Sequence, residues 1–193
     1  MNRFALALLA CAALIASPRV VLAQEAAPQA TPSDWMAYDD PAMHFHAPQG
    51  FQPIGQRQIP VGKLGDDPTV VAGWIYPQKD HLRRLVIQQE FFQGDVSAFQ
   101  SQYEGQLRDQ YDTPLFKDKA NIALKNGMPA IFEAMTTGSG FNVQKFYILM
   151  WADGQRGVVI LLNAPINDLN DAEARRMLSD ASAVRYPIGR GDL

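Results

Sequence analysis

The sequence predicts an α+β fold in which one antiparallel β-sheet is sandwiched between two helices, an α/β/α arrangement. Apolar residues recur at intervals of three and four over 95–107 and 170–184, which predicts the two helices. Four β-rich runs separated by glycine turns fill 117–164, and the last two are apolar on both faces. A sheet of this kind, supplied with two helices, is expected to carry one helix on each face.

The first 23 residues have the features of a secretory signal peptide. Arg3 supplies a positive start, an apolar run spans 4–16, and the compact residues 21–23 suit cleavage after Ala23. A transmembrane helix needs about 20 apolar residues, which this run does not reach. The sequence therefore predicts a periplasmic or secreted protein with no stable membrane anchor after cleavage.

The single cysteine, Cys11, lies inside the predicted signal peptide. The mature chain is therefore expected to have neither a disulfide nor a thiol nucleophile. Residues 8–11 also resemble a bacterial lipoprotein box, in which Cys11 would be acylated. Only the seven apolar residues at 4–10 precede it, the lower limit for a signal core, so cleavage after Ala23 is favoured.

The mature chain is mildly acidic and long enough for one domain. Removing 1–23 takes away two arginines and no acid, which leaves 15 basic and 20 acidic side chains and a net charge of −5. Nucleic-acid binding is excluded as a function class, because such a protein needs a cluster of basic residues and the longest local excess here is the pair Arg83-Arg84. We expect a flexible linker at 24–34, a single domain at 35–187 and a flexible tail at 188–193.

The first half of the domain is predicted to be mostly β. Residues 43–47 alternate in polarity, and Pro48-Gln49-Gly50 predicts a turn, so the chain from Phe51 is expected to return as the second strand of a short hairpin. A loop at 59–68 follows. Strands are predicted at 70–76 and 85–92, with 77–83 connecting them.

Capping residues and turn residues divide the second half. Asp95 is the predicted N-cap of the first helix, which contains Gly105 at a cost of about 1 kcal/mol relative to alanine. Asn126-Gly127 predicts a two-residue hairpin turn within the meander. Asn170 and Glu173 resemble a capping box at the start of the second helix. Its apolar stripe consists of Ala174, Met177, Leu178, Ala181 and Val184.

The segment 45–51 is similar to the "F-x-x-P-x-G-[WF]" opening of the PsbP-like superfamily, which includes the DcrB-like envelope proteins. The order of predicted elements from Trp35 to Tyr186 also resembles that superfamily. The resemblance implies an accessory or adaptor subunit that binds other proteins. It brings no catalytic residue and no cofactor.

His44 and His46 are the most chemically suggestive pair in the chain. They lie two apart on a predicted strand, so both imidazoles point to one face, and Asp39 and Asp40 lie just upstream. Two histidines with a carboxylate could bind zinc or copper. With His81 as the only other histidine, we favour a solvent-facing role for the pair.

The remaining candidate motifs and residues are interpreted as structural rather than catalytic. Ser139 lies between two glycines of a strand connection, without the strand-to-helix turn of a serine hydrolase. The segment 62–65 lacks the spacing of a P-loop. Paired acids are interpreted as solvated turn residues or as residues that flank a helix start, and the strand aromatics as core. These residues are Asp39-Asp40, Asp66-Asp67, Asp168 and Asp171 among the acids, and Trp74, Phe141, Tyr147 and Trp151 among the aromatics.

We therefore predict a non-enzymatic, exported accessory or adaptor protein that binds another envelope protein, without catalytic, cofactor or metal residues. Two alternatives stay open. One is a small hydrolase or metal-binding protein that uses His44 and His46, assisted by Asp39 or Asp40. The other is a carrier of an apolar ligand in a gap lined by Met135, Phe146 and Trp151.

Overall fold

A computed structural model describes residues 36–40, 43–78, 81–140 and 143–184. The predicted signal peptide at 1–23, the linker at 24–34 and the tail at 188–193 lie outside the described residues. None of the helices in the described part of the chain is long and apolar enough to span a membrane.

Ten strands and two α-helices make up the described part of the chain, and a 3₁₀ turn at Val61–Lys63 interrupts the predicted loop at 59–68. The elements in chain order are β1 Ala37–Asp39, β2 Met43–His46, β3 Gln52–Gln56, β4 Thr69–Gln78, β5 His81–Phe91, α1 Val96–Gln110, β6 Leu115–Ala123, β7 Pro129–Thr137, β8 Gln144–Ala152, β9 Arg156–Pro165, α2 Asp171–Ala181 and β10 Ser182–Val184.

Seven strands form the main sheet in the order β3-β4-β5-β9-β8-β7-β6, and every neighbouring pair is antiparallel. The predicted four-strand meander is confirmed as β6 to β9. The turn predicted at Asn126-Gly127 forms at that place, but its loop has three residues rather than two. Leu124 N donates to Met128 O at 3.0 Å and Gly127 N donates to Leu124 O at 2.7 Å, and of the Asn-Gly pair only Gly127 has a positive φ, +82°. Strands β4 and β5 are longer than predicted, because Pro77 pairs with Leu82 where a loop was expected.

The predicted hairpin between β2 and β3 is wrong. The turn itself forms, with Phe51 N donating to Pro48 O at 3.2 Å, but β3 pairs with β4 in the main sheet. Strand β2 is instead the centre of a small sheet, in the order β1-β2-β10. Met43 and Phe45 are fully buried because the small sheet lies over the main sheet rather than extending it.

The predicted α/β/α fold class is also wrong, because the molecule is a β-rich fold. Strands account for 50% of the structure and helices for 21%. Helix α1 packs on one face of the main sheet, while the opposite face is covered by α2 together with the small sheet. The predicted helical stripe to Val184 ends at Ala181, and the last three residues form β10 against β2. A helix of this length cannot cover that face alone, and the small sheet completes the layer.

Both helix N-termini are capped as the sequence predicts. Asp95 Oδ1 accepts a hydrogen bond from Ala98 N at 2.8 Å, and Asn170 Oδ1 accepts one from Glu173 N at 2.8 Å. Each bond satisfies a backbone N–H that the helix itself leaves without an acceptor.

The main sheet separates two apolar cores. Alternate residues of β7, β8 and β9 face α1 on one side, and α2 with the small sheet on the other. On the α1 side, Phe99 packs between Phe92 and Tyr103, with ring centroids 5.0 and 6.2 Å away. Strands β7 to β9 are therefore buried on both faces, as their apolar sequence predicts.

Candidate functional site

His44 and His46 lie in the small sheet, on the strand predicted for them. His44 Nδ1 is 3.7 Å from Asp39 Oδ1, and both side chains are about half exposed. His46 is exposed, and its Nδ1 lies 3.0 Å from the carbonyl of Ala47. No group of three metal-ligating side chains occurs among the described residues. The structure thus brings one carboxylate to His44 and, within the described part of the chain, assembles no further ligands there.

The prediction that Asp40 is a solvated turn residue is wrong, although its neighbour Asp39 is half exposed. Asp40 is buried, and its carboxylate accepts hydrogen bonds from Tyr38 Oη at 3.0 Å and Gln89 Nε2 at 2.8 Å. Arg156 Nη1 lies 3.2 Å from Asp40 Oδ2. Since Asp40 follows β1 and Arg156 begins β9, this ion pair joins the small sheet to the main sheet.

The other candidates from the sequence fall in separate places. Ser139 is exposed between β7 and β8, and Phe141 lies outside the described residues. Met135 and Phe146 face α1, whereas Trp151 is in the core on the opposite face, so these three do not line one gap. Trp74 and Tyr147 are buried in that same core. The predicted apolar-ligand gap is therefore not formed by the residues proposed for it.

Asp168 and Asp171 flank the start of α2, as the sequence predicts, and each meets a cation. Arg83 Nε donates to Asp168 Oδ2 at 2.5 Å, and Lys145 Nζ donates to Asp171 Oδ1. These pairs connect α2 to β5 and β8. They are interpreted as structural, because neither acid lines the two cavities described below.

A buried carboxyl beneath α1 was missed by the sequence analysis. Glu133 on β7 is 1% exposed, and Gln100 Nε2 donates to its Oε2 at 2.9 Å. Its Oε1 has no hydrogen-bond donor among the described residues. Burial raises the pKa of Glu133 from its ordinary 4.5 to about 7; the nearby carboxylate of Glu104 adds to the rise and Lys119 opposes it.

Glu133 is expected to make the protein less stable as the pH rises from about 4.5 to 7. In this window the folded protein keeps a proton on Glu133 that the unfolded chain has released, so ionisation favours unfolding, by on the order of 2 to 3 kcal/mol. Glu133→Gln should remove most of this decline. Urea unfolding of the unsubstituted protein and of Glu133→Gln at pH 5 and pH 8 measures the decline in stability. Equal declines in the two proteins would contradict the assignment of this decline to Glu133.

A second buried carboxyl, Glu90 on β5, is held by two glutamines of α1. Gln102 Nε2 donates to its Oε1 and Gln106 Nε2 to its Oε2, both at 3.0 Å. Burial raises the pKa of Glu90, the two amides oppose the rise, and the nearby carboxylates of Asp66 and Asp67 reinforce it. This side of α1 therefore carries a concentration of negative charge.

A recess opens beside Glu90, between α1 and the start of β4. We call it the polar recess. Its volume is about 350 Å³, and it is lined by Asp67, Pro68, Gln88, Tyr103, Gln106, Leu107, Asp109 and Gln110. Tyr103 Oη donates to Gln88 Oε1 at 2.6 Å, and burial raises the pKa of that phenol, so it stays protonated. The recess therefore presents mainly amides and carboxylates.

The α1 side of β3, β4 and β5 carries two exposed apolar side chains, Ile54 and Val70. We call this surface the open face, and it consists of these two residues together with the half-buried Val86 and the buried Gly73. A cavity of about 280 Å³ lies on it. Ile54 is 58% exposed and Val70 is 44% exposed. A Cβ added to Gly73 would lie 3.7 Å from Val86 Cγ1 and 3.9 Å from Ile54 Cδ1, which shows that the three residues share one surface.

The open face lies on strands of the main sheet that α1 does not cover. Helix α1 packs mainly on β7 and β8, near the other edge of the main sheet. Among the described residues no second helix or strand lies on the α1 side, so the outer strands keep their apolar residues in contact with solvent. Exposed apolar surface of this kind is typical of a binding site.

Comparison with known proteins identifies the fold but no family. No protein-family profile matches the chain, and no curated protein matches it at a significant level. The crystal structure of LpqN, described as involved in cell envelope biogenesis of Mycobacterium tuberculosis, superposes with a TM-score of 0.52 at 13% sequence identity. The match covers 82% of this chain and 99% of that chain. Similarity at this identity shows a shared fold, and the predicted PsbP-like membership is not confirmed.

Proposed function

We propose that this chain is an exported accessory protein of the cell envelope that binds another protein through its open face. The observation that carries the proposal is the apolar surface next to α1 that the exposed Ile54 and Val70 form with the half-buried Val86. Burying such a surface against a partner removes apolar area from water, which favours association.

The envelope assignment has two supports. The first 23 residues have the features of a signal peptide, and the fold is shared with a protein described as involved in cell envelope biogenesis. A non-enzymatic role is supported by the placement of His44, His46 and Ser139, none of which lines the polar recess or the cavity of the open face.

The proposal predicts a position-dependent crosslink in living cells. A photoreactive amino acid placed at Ile54 or Val70 should capture the same envelope protein, because both side chains lie on the binding surface. Mass spectrometry of the purified adduct identifies the captured protein. The matched control is Leu115, which is 52% exposed but lies on β6 at the opposite edge of the main sheet.

Leu115 should give no adduct with that protein. Capture of the same proteins from Leu115 as from Ile54 would show that the label reports proximity rather than a binding surface. The absence of any reproducible adduct from both Ile54 and Val70 would contradict the proposed function.

A further inference from the structure

We infer that the open face and the polar recess form one groove, and that the groove receives a protein segment carrying a lysine or arginine beside apolar side chains. This inference rests on the proposed function and specifies the chemistry of the partner.

The two parts of the groove are continuous along the sheet. Val70 on the open face is the cross-strand partner of Gln88, which lines the polar recess. Val86 and Gln88 are two apart on β5, so their side chains point to the same face of the sheet. Pro68 lines the recess two residues before Val70. A single bound segment can therefore contact both parts.

The recess end of the groove is acidic. Asp67 and Asp109 both line it, and neither carboxylate has an ion-pair partner among the described residues. Glu90 lies behind them, and Asp66 is close enough to influence its pKa. Positive charge lies at the other end of the groove. Arg57 lines the cavity of the open face, and its Nε donates to the carbonyl of Val70 at 3.0 Å. A positive side chain in the recess would be attracted by this group of acids.

The recess also contains an acceptor oxygen that lacks a donor. Gln106 Oε1 is buried there and accepts no hydrogen bond from any described residue. A buried acceptor without a donor is unfavourable. An N–H group of a lysine, an arginine or a peptide backbone could supply the missing donor.

The combination of features favours a protein segment over a lipid. A phospholipid headgroup would bring a phosphate towards Asp67 and Asp109, where like charges repel. A small free cation would bind in the recess but leave Ile54 and Val70 exposed to solvent. A segment with a basic residue next to apolar residues satisfies both ends of the groove.

Selection from a display library of random short peptides on the purified mature protein tests the inference. Enriched peptides should share a lysine or arginine next to apolar residues. Binding of one such peptide, followed by fluorescence anisotropy, should weaken as ionic strength rises from about 0.05 to 0.5 M, because the recess is open to screening ions. Asp67→Asn and Asp109→Asn should each weaken binding about two- to fivefold.

The matched control is Glu173→Gln, which removes one negative charge on α2, on the opposite side of the main sheet. It should leave peptide binding unchanged. Failure to select any peptide, selection of peptides without a basic residue, or equal effects of Glu173→Gln and the two recess variants would overturn the inference. The proposed function would still stand in those cases if photocrosslinking from Ile54 and Val70 captures an envelope protein.

Discussion

Gly157→Ala is expected to lower the free energy of unfolding by about 2 to 3 kcal/mol, because the position beneath α1 has no room for a methyl group. A Cβ on Gly157 would lie 2.1 Å from Phe99 Cε2 and 2.2 Å from Phe99 Cζ, far inside van der Waals contact. Phe99 is fully buried between Phe92 and Tyr103, so its ring cannot move aside without displacing them. Urea unfolding at neutral pH measures the loss.

Gly105→Ala is the matched control for this substitution. Gly105 lies inside α1, and a Cβ there meets nothing within 4 Å, so alanine should raise the free energy of unfolding by about 0.5 to 1 kcal/mol. Phe99→Leu in the Gly157→Ala background should recover part of the loss, because it removes the ring that clashes. A loss below about 0.5 kcal/mol for Gly157→Ala would contradict the packing described for α1.

Arg156→Met is expected to cost about 3 to 5 kcal/mol, because it leaves the buried carboxylate of Asp40 without its guanidinium partner. Arg156 and Asp40 are both 4% exposed at their side chains, with Arg156 Nη1 3.2 Å from Asp40 Oδ2. Arg156 Nε lies 3.2 Å from Asp153 Oδ2 but is not aligned for a hydrogen bond. Burial and the adjacent Asp40 carboxylate raise the pKa of Tyr38, which keeps that phenol protonated as a donor.

Two further variants distinguish the free-energy cost of an unpaired buried charge from the cost of losing an arginine side chain. Asp40→Asn combined with Arg156→Met should be less destabilising than Arg156→Met alone, since it removes the uncompensated charge. Arg108→Met, which breaks the partly exposed pair with Glu104 and the contact of Arg108 with the Phe116 ring, should cost no more than about 1 kcal/mol. Thermal or urea unfolding compares all three. Equal losses for Arg156→Met and Arg108→Met would contradict the role of Arg156 in joining the two sheets.

The candidate site was only partly accessible to sequence analysis. Asp66-Asp67 was correctly placed in a loop before a strand, but nothing in that dipeptide indicates that α1 brings Asp109 to the same recess. Glu90 and Glu133 interrupt apolar strands, and this is the one signal that could have identified them as buried. Their hydrogen-bond partners are glutamines of α1. Which residues of α1 face the sheet depends on how the helix packs against it.

Local signals were reliable where the structure depends on near neighbours in the chain. The caps at Asp95 and Asn170 and the four-strand meander form as predicted, and the turn at Asn126-Gly127 forms at the predicted place with a loop of three residues instead of two. Each depends on backbone hydrogen bonds or dihedral angles within a few residues, or on pairing between consecutive strands. The two-sided burial of β8 and β9 is likewise encoded in their own residues.

By itself, then, the sequence determined the caps, the position of the β6–β7 turn, the meander and which strands are buried on both faces. Tertiary structure alone decided that β2 pairs with β1 and β10 rather than with β3, that Ser182–Val184 becomes a strand, and that the open face stays uncovered. Alternation in a strand reports only that one of its faces is buried. What buries that face depends on pairing between residues far apart in the chain, such as Phe45 with Ser182, and no local periodicity encodes that choice.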